Sequence, residues 1–104
     1  MADEQHQGGT ETVERTERKT QEPDLYRVVL LNDDYTPMDF VVHILEEVFQ
    51  KSPAEAYRVM MAVHTQGRGV AGHYPHEVAE TKVAAVVDWA RASGFPLQAT
   101  MEKA

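Results

Sequence analysis

Leu25-Tyr26-Arg27-Val28-Val29-Leu30-Leu31-Asn32-Asp33-Asp34-Tyr35-Thr36-Pro37-Met38-Asp39-Phe40 holds a strand, a turn and a helix start in sixteen consecutive residues. Its first seven positions are rich in β-branched and aromatic side chains, the composition of a strand buried on at least one face. Asn32, Asp33 and Asp34 then place three short oxygen-bearing side chains at one turn, where such residues are favoured because they bond nearby backbone N–H groups. Thr36-Pro37-Met38-Asp39 has a helix-start pattern, with Thr as N-cap, Pro at the first helical position and an acid facing the positive end of the helix dipole. Taken alone, the acidic loop reads equally well as a turn and as a site.

Working outward, the helix is predicted from about Pro37 to Gln50, with Val41, Leu45, Val48 and Phe49 spaced by three and four to make one buried face. Ser52-Pro53-Ala54-Glu55 is a capping box that opens a second helix, carrying Ala56, Val59, Met60 and Val63 inward and ending at a left-handed Gly67. Arg68 to Tyr74 reads as a glycine-interrupted strand, in which glycine lets another backbone approach. A third helix is predicted from about Ala79 to Ser93, with Val83, Val86, Val87 and Ala90 on one face, and Gly94 ends it. Leu97, Ala99 and Met101 alternate with Gln98, Thr100 and Glu102, the period of a half-exposed strand. The order β-α-α-β-α-β implies an α+β domain in which a small three-stranded antiparallel sheet packs against three helices.

The 104 residues suit one domain with a modest core. Residues 1–24 hold seven acids against three bases and few apolar side chains, so they are expected to form a disordered acidic tail ahead of a folded core spanning 25–104. A net charge of −7 argues against nucleic acid, whose phosphates require clustered Lys and Arg. The chain lacks cysteine, which removes disulfides, thiolate nucleophiles and thiolate zinc sites. No apolar run approaches the roughly 20 residues of a membrane span, and residues 1–24 lack the apolar centre of a secretory signal. The expectation is a cytoplasmic protein with no membrane partner.

Several chemistries fail on spacing. Counted as a calcium loop from Asn32, the sixth and twelfth positions are Pro37 and His43 rather than Gly and Glu. His73 and His76 lack a third metal ligand nearby. His64 with Asp33 or Asp34 has no nucleophile in a recognisable turn. No catalytic residue, metal or cofactor is therefore expected. What remains is His64 on the face of Met60, four residues earlier, beside Val63. An acidic loop facing an apolar wall with one imidazole suits an ammonium group that carries a hydrophobic side chain.

The motifs Leu31-Asn32-Asp33-Asp34-Tyr35-Thr36-Pro37-Met38, Met60-Met61-Ala62-Val63-His64 with Gly67, Glu77-Val78-Ala79-Glu80-Thr81-Lys82-Val83, and Pro96-Leu97 with the final Met101-Glu102-Lys103-Ala104 resemble the ClpS family, bacterial adaptors that recognise N-degrons for the ClpAP protease. The resemblance covers residues 25–104 and implies a fold related to the C-terminal domain of the ribosomal stalk protein. It implies that Asn32, Asp34 and His64 bind the α-amino group of a peptide beginning with Leu, Phe, Tyr or Trp. Asp33, Thr36, Pro37, Met38, Val41, Met60, Val63 and Leu97 would line the side-chain pocket and its rim, with Met60 similar in position to the family's gatekeeper against β-branched residues. Glu77 and Lys82 resemble the patch that docks on the N-terminal domain of the ClpA unfoldase, and the expected adaptor is a monomer and not an enzyme. An alternative from another class is a structural interaction domain of the ribosomal-stalk type, which binds through a helix face and has no use for the Asn32, Asp34 and His64 triad.

Overall fold

Val28, Val29 and Leu30 are consecutive in a strand and each is 0% exposed. Because neighbouring strand side chains point to opposite faces, both faces of this strand must be covered. The structure, a computed structural model, describes residues 23–104, and the expected tail lies almost wholly outside them. Strand β1 (Leu25–Leu31) is the middle of three, flanked antiparallel by β2 (Arg68–Pro75) and β3 (Gln98–Lys103). Helices α1 (Met38–Phe49), α2 (Pro53–Gln66) and α3 (His76–Ala92) supply the rest of the β-α-α-β-α-β order. The α+β architecture expected from the periodicities is the one observed.

On the inner face Val28 and Leu30 pack with Ile44, Leu45, Met60 and Val86 in one core cluster. Val29 points the other way, paired across the sheet with Val70 and Thr100 on a face that also carries ion pairs. Glu102 pairs with Arg27, 3.4 Å away, and with Arg68. Arg68 lies opposite Leu31 and Glu102 opposite Arg27, so the Arg68–Glu102 pair runs diagonally across β1 on the face to which Val29 points.

The element ends show which local signals operate. Ser52 Oγ accepts from the Glu55 N–H at 3.2 Å, the N-cap half of the expected capping box, while the Glu55 carboxylate pairs with Arg58 at 2.7 Å. Gly67 sits at φ 88° with its N–H on Val63 O. Helix α3 closes with Phe95 N–H on Ala90 O and Gly94 N–H on Arg91 O, the paired bonds of a Schellman end. Helix α1 departs from expectation: Pro37 is its N-cap residue, with no side-chain cap, because the Thr36 hydroxyl donates to Asp33 instead. Helix α3 also starts earlier than predicted, at His76, where Pro75 in extended conformation leads straight from β2 into the first turn. Gly69 shows why β2 needs glycine. A Cβ there would lie 2.9 Å from Val59 O and 2.7 Å from Val63 Cγ2 of α2.

Candidate functional site

The loop between β1 and α1 is built around Asp33. Its Oδ1 accepts from the backbone N–H groups of Tyr35 (2.8 Å) and Thr36 (2.7 Å), and Oδ2 accepts from the Thr36 hydroxyl (2.7 Å). Partial burial pushes the Asp33 carboxyl up, but the three hydrogen bonds outweigh it and hold the pKa below its ordinary value. Asp34, the next residue, is exposed and has no hydrogen bond or ion pair to another side chain among the described residues. The loop is tied to α2 at its first residue: Asn32 N–H donates to Gly67 O at 3.0 Å. That bond brings the last turn of α2, with His64, beside the acidic loop.

Between loop and helices opens a cleft of about 390 Å³. Asn32, Asp33, Asp34 and Thr36 form its polar wall, Pro37, Met38 and Val41 enter from α1 and its lead-in, and Met60, Val63 and His64 come from α2. Val41 (5% exposed), Met60 (5%) and Val63 (2%) are the apolar floor, whereas Met38 (48%) stands at the mouth. His64 is exposed. The arrangement is amphipathic: acceptors at one side, an apolar depression below, and no Lys or Arg in the lining.

Leu97 departs from the expectation. It is 2% exposed, belongs to the core cluster and does not line the cleft. The reason is alternation: Gln98 pairs with Leu31, so Leu97 and Ala99 turn inward beneath the helices. Tyr35, by contrast, lines the cleft and is 79% exposed. Its signal was an aromatic ring set within a polar turn, where no core can hold it.

Glu77 and Lys82 lie elsewhere, on α3. Lys82 Nζ donates to Val48 O (2.6 Å) and Gln50 Oε1 (3.1 Å) at the C-terminus of α1, and sits 5.4 Å from the Tyr74 ring centre. It supplies the cation that the last turn of α1 lacks. Glu77 is exposed in the first turn of α3. Five residues along a helix turns a side chain by about 140°, so the two point in different directions. His76 packs edge-on against Tyr26 at 4.9 Å. Among the described residues no three His, Asp or Glu side chains group to hold a metal, and no helix is long and apolar enough to cross a membrane.

Residues 21–100 match the family model described as ATP-dependent Clp protease adaptor protein ClpS. The chain is 56% identical over 97 residues to the ATP-dependent Clp protease adapter protein ClpS of Brucella canis, covering 93% of this chain and 84% of that one. It is 60% identical over 91 residues to the adapter of the same name from Phenylobacterium zucineum, covering 88% and 84%. Among solved structures it resembles Agrobacterium tumefaciens ClpS2 bound to L-phenylalaninamide, with TM-score 0.77 and 43% identity over 80% of this chain and 100% of that one.

Proposed function

This chain belongs to the ClpS family of ATP-dependent Clp protease adaptors, which select substrates for the protease rather than cleave them, and from that premise we propose that its cleft captures the first residue of N-degron substrates. The observation that carries the reading is the cleft itself, with carboxylate, amide and imidazole acceptors above a floor of Val41, Met60 and Val63. An ammonium has three donors and no acceptor. Asn32, Asp34 and a neutral His64 supply three acceptors, and Asp33 adds a fixed negative charge. Leu, Phe, Tyr or Trp fills the apolar floor, a reading supported by the phenylalaninamide held by the A. tumefaciens relative.

Charge-assisted hydrogen bonds contribute about 1.5–3 kcal/mol each and burial of a Leu- or Phe-sized side chain about 1.5–3 kcal/mol. Against several kcal/mol of association cost, the balance is moderate, reversible binding, which suits a carrier. The exposure of Met38 at the mouth supports a gate there, while Met60, the gatekeeper expected from the resemblance, lies in the floor. The cargo passes to the N-terminal domain of the ClpA unfoldase, which docks at α3 through Glu77, while Lys82 holds the adjoining end of α1 in shape. The adaptor works as a cytoplasmic monomer, and residues 1–24 assist transfer.

Fluorescence anisotropy tests the reading with a Phe-initiated peptide, its N-acetylated form and a Gly-initiated twin. Losing one charge-assisted contact is expected to weaken binding of the acetylated form by about tenfold or more. Equal affinities for the three would overturn the proposal and leave a helix-face interaction domain. In the same assay Met38→Ala is expected to admit Val- and Ile-initiated peptides; if only Met60→Ala does so, the gate lies in the floor.

A further inference from the structure

On the other side of α1 lies a second groove, of about 460 Å³, lined by Pro37, Asp39, Phe40, His43 and Phe95. Pro37 also lines the first cleft, so the two hollows meet at a single ridge at the head of the helix. The helical rotation of about 100° per residue explains the division. Met38 and Val41 project into the cleft, while Asp39, Phe40 and His43 project away from it.

The walls of this groove are braced aromatic rings. Phe40 meets Phe95 at 4.8 Å between ring centres with planes at 62°, and His43 meets Trp89 at 5.1 Å and 81°. Trp89 remains 36% exposed. Asp39 is exposed at the edge of the groove and has no ion-pair partner among the described residues, and no Lys or Arg lines either hollow.

We propose that this groove is a second subsite for the bound peptide and takes an arginine side chain from one of the three residues that follow the first. The inference rests on the first cleft being the seat of the peptide's N-terminal residue. A peptide anchored there and leaving over Pro37 must cross the head of α1. An extended chain advances about 3.3 Å per residue and a helix is about 10 Å wide, so the crossing takes two or three residues. Arginine fits the lining better than lysine does. Its planar guanidinium stacks on aromatic rings and pairs with a carboxylate through two parallel bonds, whereas the lysine ammonium is compact and strongly hydrated.

The test measures binding of Phe-initiated peptides in a neutral Ser and Gly background to the full chain. Arg is placed at the second, third or fourth position, or near the C-terminal end as a distant control, and Lys replaces it in a matched set. Because the contact is half-exposed, Arg at one early position is expected to tighten binding by about three- to tenfold over the distant control, and Lys there by less. Asp39→Asn is expected to erase that gain while leaving the Ser and Gly peptide unchanged; Glu47→Gln, exposed on the same helix outside the groove, is expected to preserve it. A gain equal at early and distant positions, or one that survives Asp39→Asn, would mean general attraction to an acidic protein and would overturn the subsite. Tight binding of every Phe-initiated peptide with no response to Arg sinks the subsite and leaves the first cleft standing. Phe- and Gly-initiated peptides that bind alike sink both.

Discussion

Asp33 and Asp34 are neighbours of identical chemistry, yet the turn separates their roles. Asp33 accepts three hydrogen bonds and is held in place; Asp34 is exposed and available to a ligand. Turn propensity marked both alike, and only the family resemblance assigned Asp34 to the amino group and Asp33 to the rim; the structure adds that the Tyr35 and Thr36 N–H groups reach the Asp33 carboxylate. The same holds for Met38 and Met60, alike in type but set at the mouth and in the floor. Asp33 carries a prediction with a definite sign. Its burial raises the pKa but its hydrogen bonds lower it further, to a net value below the ordinary 3.8. A depressed carboxylate stabilises the fold above its unfolded pKa and loses that contribution as pH falls through the folded value. Asp33→Asn should therefore lower the urea midpoint at about pH 7, with the gap to the parent narrowing below about pH 4. A gap of constant size across that range would show that the charge of Asp33 is irrelevant to the turn.

Among the elements, the Ser52 N-cap and Gly67 behave as their local patterns require, because each depends on contacts within four residues. The start of α1 does not, since the Thr36 hydroxyl is already engaged by Asp33 when the helix begins. Lys82 shows the same limit over a longer range. The resemblance named it only as part of a docking patch, and its sequence neighbours did not reveal that its ammonium also caps α1 at Val48 and Gln50. Gly69 is where the α2 and β2 backbones touch, and α2 carries both Met60 and His64. Gly69→Ala would push a methyl group against Val59 O and is expected to cost about 1–3 kcal/mol by overpacking, read as a lower urea midpoint with unchanged slope. An unaltered midpoint would mean that helix and strand part at no cost.

At the scale of the molecule, the sheet holds its central strand between a helical core on one face and the Arg27, Glu102 and Arg68 lattice on the other. The site sits at the end of that strand, where the Asn32 to Gly67 bond joins the loop to α2. Residues 1–22 lie outside the described structure, and their role separates cleanly in experiment. Removing them is expected to leave peptide affinity unchanged and to slow degradation of a Phe-initiated substrate by the complete protease. A parallel loss of affinity would make the segment part of the cleft. The order of elements, the antiparallel α+β architecture and the family were legible in the chain alone, because hydrophobic period, capping residues and motif spacing are local properties. So were most of the side chains that line the cleft, through their motifs. Only the tertiary structure decided that Leu97 belongs to the core, that Met38 stands exposed at the mouth, that Lys82 bonds to the end of α1 and that a second groove opens behind Pro37. Each of these depends on which surfaces meet when strands and helices distant in sequence pack, and no local spacing encodes that.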